Sequence, residues 1–282
     1  MGIGINSGNW GFARPIGPSR IAASPGGSMA AASGCGSTAP VSGPVRPADQ
    51  LGIKLITIPA GEFIFQGIPG VRHNGFRIAE TEFTNGQFRR LLELMPEELA
   101  KIVKAPQKKL ESSLAAVDPN YKEEAEDCPM VGLSQIEYAG IAKLLGLRLL
   151  TELEWERAAA GKDGRAYSFG NQFDQSKVTF NGKGTRSVYA HPEAATQEGV
   201  FDLSGNVWEW TSSYYGKIYL HDPKNPRFPI PGANMILRGG AWNRDIERIF
   251  QVAYRYADLP ELQYDSVGVR FAKDIQPDPG KI

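Results

Sequence analysis

"LSQIEYAGIAKLLGLRLLTELEWERAAAG", residues Leu133 to Gly161, holds two helix starts of one design. Ser134 is followed three residues on by Glu137, and Thr151 by Glu154. That spacing predicts a capping box, in which the hydroxyl and the carboxylate satisfy amides that the first helical turn leaves unpaired. Apolar residues occupy the staple positions on either side, Leu133 with Tyr138 and Leu150 with Trp155. Thr84 and Gln87, flanked by Phe83 and Phe88, repeat the pattern upstream. Three helices should therefore begin just after Thr84, Ser134 and Thr151. In this reading Glu154 and Trp155 are cap and core, not catalytic groups.

Outward from these helices the pattern changes. "IKLITIPAGEFIFQG", residues 53–67, alternates apolar and polar side chains as two short strands around Pro59-Ala60-Gly61 would. Residues 96–127 read as a surface insertion, one or two charged helical pieces broken at Pro106 with Lys and Glu facing water. Beyond Gly161 helical signals stop, and Gly, aromatic residues and turn dipeptides predict short strands held by loops. Trp208 and Trp210 read as strand residues, one facing the core and the other partly the surface. Residues 51–273 form one domain in this reading, and 274–282 a C-terminal tail. Residues 1–50 are Gly, Ser, Ala and Pro with few large apolar groups, which reads as a flexible segment. "ASGC" before Cys35 has the form of a lipidation site but lacks the apolar stretch upstream that a secretory signal needs.

The totals exclude several classes. With 31 basic and 31 acidic side chains in 282 residues, nothing draws the chain generally toward nucleic acid or an anionic membrane. No apolar run approaches the roughly 18 residues of a membrane span. Cys35 and Cys128 make no metal knuckle, and His73, His191 and His221 show no ligand spacing.

Five stretches, in order, resemble the formylglycine-generating enzyme (sulfatase-modifying factor) domain: "FRIAETEFTNGQFRRLLE", "MVGLSQIEYAGIAKLLGLRLLTELEWERAAAG", "FDLSGNVWEWTSSYY", "LRGGAW" and "VGVRF". The resemblance covers Ile53 to Lys273. It implies an α+β, C-type-lectin-like fold with two packed helices, a small twisted antiparallel sheet and much irregular structure. The family's oxidase carries two active cysteines shortly after Arg-Gly-Gly. The matching positions here lie at or near Arg244 and Ile249, and residues 129–282 contain no cysteine. Without a thiolate to hold copper(I), that redox chemistry has no reactive group. The sulfoxide synthases of the family use an added histidine-rich helical domain that residues 1–50 do not supply. No copper or iron is therefore expected. Asp202, Gly205, Val207 and Glu209 match the positions that hold calcium in the oxidase, two by side chain and two by carbonyl, which implies a structural calcium. The alternative is that Asp202 and Glu209 only tie the loop by hydrogen bonds.

Arg238, Gly239, Gly240 and Trp242 read as frame, as do Arg255 and Arg270 paired with backbone or buried acids. Between them Asn243, Arg244, Asp245, Phe250, Tyr256, Ala257, Asp258, Leu259, Leu262, Tyr264, Asp265 and Ser266 follow no helical or strand period. Rigid aromatics, Arg and small polar groups in one region suit an adaptable binding surface. The arrangement resembles the variable proteins of diversity-generating retroelements, which place a hypervariable patch on this fold between the same two frames. Their adenine-directed mutagenesis cannot yield Lys, Gln, Glu, Met or Trp from Asn codons. All twelve positions hold permitted residues, and 238–270 contains no lysine. The resemblance implies a non-catalytic protein with a protein or glycan ligand, displayed at a cell or virion surface. An enzyme of the superfamily with another chemistry is the competing class. Incubated with copper, reductant, oxygen and a sulfatase-motif peptide, the protein should leave the peptide cysteine unchanged. Aldehyde formation above background contradicts the expectation.

Overall fold

The computed structural model describes residues 47–216 and 234–275. Expectations for Cys35, His221, the segment before 47 and the tail after 275 lie outside the described residues. The first helix, α1 (Pro47–Gln50), buries Ala48, and Leu51 follows it into the core. The packed chain thus begins a few residues earlier than composition indicated.

The strands β1 (Leu55–Ile58) and β2 (Gly61–Phe65) form where alternation placed them, yet they do not pair with each other. β2 pairs with β3 (Ile68–His73) through Gln66 and Gly67, both left-handed at φ 50° and 78°. Positive φ at both turn residues matches the right-handed twist of a two-residue hairpin. β1 instead pairs with β4 (Phe76–Ala79), in a sheet of order β1-β4-β10-β5 that includes β5 (Arg148–Leu149) and β10 (Phe271–Asp274). Asp274 is therefore strand, not tail.

Three of the remaining helices start as the caps dictate. In α2 (Asn85–Leu94), α5 (Gln135–Leu144) and α6 (Glu152–Ala160) both bonds of the box are made. The staple residues Phe83, Phe88, Leu133, Tyr138, Leu150 and Trp155 are all buried. The insertion forms α3 (Pro96–Ile102) and α4 (Pro106–Ala115), broken at Pro106 as expected. It is no mere surface excursion, because Leu99, Val103 and Leu110 enter the core, and the Ser113 hydroxyl donates to Asn85 Oδ1 at 2.6 Å.

The second sheet has the order β8-β7-β6-β9, from β6 (Trp208–Tyr214), β7 (Met235–Arg238), β8 (Tyr256–Asp258) and β9 (Val267–Val269). It is not wholly antiparallel: β9 runs parallel to β6. Parallel neighbours need a long crossover, and residues 239–266 provide much of it. Trp208 and Trp210 are both buried, where one was expected at the surface. Residues two apart share a strand face, so Glu209 is the one that turns away.

Replacing Thr151 with Ala removes the α6 cap and should cost about 1 kcal/mol in denaturant unfolding. An unchanged midpoint would show that Arg148, which pairs with Glu154 at 2.7 Å, fixes the helix start alone.

Candidate functional site

Two buried arginines set the geometry. Arg238, at the end of β7, is fully buried; it donates to Glu152 Oε1 at 2.6 Å, to Glu156 Oε2 at 2.7 Å and to the Val252 carbonyl. Glu152 and Glu156 lie one turn apart on α6, so one guanidinium spans both. Glu152 Oε2 also accepts from Arg255 Nη2 at 2.8 Å, and Glu156 Oε1 from the Gln66 amide at 2.6 Å. The second arginine, Arg270, donates to Glu209 Oε1 at 2.8 Å, to the Glu80 carbonyl at 2.9 Å and to the Phe201 carbonyl at 2.7 Å. Trp155 Nε1 donates to Glu209 Oε2 at 2.8 Å, which joins the two arginine sites through α6. Burial without partners would be costly for each charge, so the carboxylates are obligatory.

Between these anchors the chain turns outward. Asn243, Arg244, Asp245, Tyr256, Leu259, Leu262, Tyr264 and Asp265 are exposed, and Ala257 and Asp258 half-buried. Tyr264 donates its hydroxyl to Asp258 Oδ2 at 2.7 Å, and that bond pushes the phenol up to about 12. Two expected surface residues are interior. Phe250 is fully buried against Phe173 and Phe180. A Cβ at Gly240, where φ is +83°, would stand 2.6 Å from the Phe250 ring, so the second glycine of the motif makes room for it. Ser266 is also buried, its carbonyl accepting from the Trp208 amide at 3.0 Å. Trp242, read as core, is half-buried and donates to the Asp265 carbonyl at 3.3 Å. It ties the two arms of the patch together instead. Sequence reasoning missed Ile136, Tyr214, Tyr215 and Ile246, all exposed. Ile136 and the tyrosines reach this face by pairing and packing that no local pattern shows.

Of the residues matching the calcium set, Glu209 is engaged as the side chains stand. Both Glu209 oxygens are held by Arg270 and Trp155, which is the tie that hydrogen bonding alone would make. Asp202, left-handed at φ 51°, keeps one oxygen without a partner. Burial pushes its carboxyl up to about 7 against the pull of Arg270, and burial likewise raises Glu82, 3.8 Å from the same guanidinium. Among the described residues no group of three His, Cys, Asp or Glu side chains is arranged to hold a metal ion. A cleft of about 470 Å³ lies at the other end of α6, where Arg157 pairs with Glu198 at 3.1 Å. No helix of the described residues is long and apolar enough to cross a membrane.

Residues 43–275 match the sulfatase-modifying factor enzyme 1-like domain, and the chain belongs to that family. Over 242 residues it is 28% identical to the serine/threonine-protein kinase pkn1 of Chlamydia pneumoniae, covering 79% of this chain and 38% of that protein. It is 29% identical to the formylglycine-generating enzyme of Streptomyces coelicolor, over 52% of each. The chain thus spans well under two thirds of these relatives. Treponema denticola variable protein 1 superposes with a TM-score of 0.60 over 78% of this chain and 95% of that one, at 17% identity, and shares the fold.

Removing Glu209 takes from buried Arg270 the one carboxylate that hydrogen-bonds it among the described residues, so Glu209→Ala should lose roughly 3–5 kcal/mol. Wild-type melting should not respond to millimolar calcium or to chelator. A chelator-sensitive melt would mean that Glu209 leaves Arg270 to hold an ion.

Proposed function

We propose that this chain is a non-catalytic ligand-binding protein, the variable protein of a diversity-generating retroelement, whose diversifiable surface takes a protein or glycan ligand. One observation carries the reading. Of the eleven exposed large hydrophobic residues among those described, Ile246, Tyr256, Leu259, Leu262 and Tyr264 lie within 243–266. Three more adjoin them. Ile136 follows Gln135, whose amide bonds the Pro260 carbonyl, and Tyr214 ends, and Tyr215 directly follows, the strand whose neighbour pairs with β8. Seven of the eleven, all but Ile246 of those just named, therefore lie on or beside β8 and the loop after it, and contiguous exposed apolar groups mark interaction sites. The chemistry of the patch supports binding over catalysis, because its carboxylates and phenols converge on no acid–base pair beside a cleft.

Residues of the patch pack little, so replacing Asn243, Arg244, Tyr256, Asp258, Tyr264 and Asp265 together should leave a folded protein melting near wild type. Phe250→Ala, which empties a core position, should lose roughly 3–5 kcal/mol. Sequencing the locus in related isolates should find a nearby reverse transcriptase and substitutions concentrated at these exposed positions. A six-fold variant that unfolds as readily as Phe250→Ala, or substitutions spread evenly over the domain, would overturn the proposal.

A further inference from the structure

The half of the patch from Tyr256 to Ser266 has a chemistry of its own. It carries Asp258, Glu261 and Asp265 with no lysine or arginine. Tyr256 and Asp258, two apart on β8, project from one face of the strand. The Trp208 ring packs beside Tyr256, with centroids 5.4 Å apart, and lies 6.0 Å from the Tyr254 ring. Tyr264 closes the other side through its bond to Asp258 Oδ2, while Asp258 Oδ1 accepts from the Leu259 amide at 2.9 Å. The carboxylate is thus held in place beside two exposed phenol rings. Two nearby cations are engaged elsewhere: Lys109 with Gln263 and the Gly132 carbonyl at 3.1 Å, Arg255 with Glu152 at 2.8 Å. Leu259, Leu262 and Ile136 add an exposed apolar margin.

From this juxtaposition we infer that Tyr256, Asp258 and Tyr264 form a seat for one arginine or lysine side chain of a protein partner. The inference rests on the binding-face reading and names its partner. A cation is attracted to the negative faces of aromatic rings and to the adjacent carboxylate, and the attraction grows as a partner displaces water. The apolar margin selects a protein over a glycan, because a protein brings side chains that cover Leu259, Leu262 and Ile136, and a sugar brings none.

The test uses the full chain and small probes: N-acetyl-arginine amide, its neutral isostere N-acetyl-citrulline amide, and methyl glycosides. Saturable shifts of the Tyr256 and Tyr264 ring resonances are followed by NMR. The arginine probe should bind at least about fivefold more tightly than citrulline. That preference should disappear in Asp258→Asn and weaken in Tyr256→Leu, with melting of both variants as control. Equal binding of the two amides, a response to glycosides that exceeds arginine, a preference that survives Asp258→Asn, or no saturable shift would each overturn the inference. If the six-fold variant stays folded while arginine fails, only the cationic seat is lost and the binding face stands; if that variant unfolds, both fall.

Discussion

The guanidinium of Arg238 is the constraint on which the rest depends. A fully buried charge survives only if its partners are fixed, and here they come from two parts of the chain outside β7: the face of α6 and the loop carbonyl of Val252. Glu152 passes the constraint on to Arg255, just before β8, and Glu156 passes it to the β2–β3 turn at Gln66. Removing one partner of such a cluster costs far more than the cluster contributes net, so it specifies the arrangement more than it stabilises it. The consequence is that both ends of the 243–254 excursion are pinned to α6 while residues 243–248 are left to solvent.

A second pin closes the other arm. Arg270 fixes the chain after β9 through Glu209 and three carbonyls, and Trp155 links that site back to α6. Phe250 fastens the long loop midway by filling the space that Gly240 leaves. What remains between the pins is a set of side chains with little packing to lose. This division is what a binding surface that tolerates change requires: backbone geometry set by buried residues, and ligand contacts supplied by exposed ones.

Much of the fold was legible because its signals are local. A capping box occupies four residues, and Thr84, Ser134 and Thr151 each show one; the break at Pro106 needs only the missing amide. The pairing of β1 with β4 was not legible, since alternation marks a strand without naming its neighbour. Nor was the parallel β6–β9 pair, which joins segments far apart in sequence. At the site, Arg238, Arg255 and Arg270 stood out as frame, but Glu152 and Glu156 did not, although their spacing places both on one helix face. Phe250 and Ser266 sit in an aperiodic stretch, where nothing local distinguishes the residue that turns inward from those that turn out. Only the glycine at 240, with its vacant Cβ position, hinted at something large nearby.

The central claim is that buried pins hold an exposed, replaceable surface. Saturation mutagenesis of residues 236–270, read out as protease resistance of the displayed full chain, measures it directly. The profile should show broad tolerance at 243–248 and 256–265, with sharp intolerance at Arg238, Gly240, Phe250, Arg255 and Arg270. A profile with no contrast between the two sets, or with its intolerant positions at the exposed tyrosines and aspartates, would contradict it.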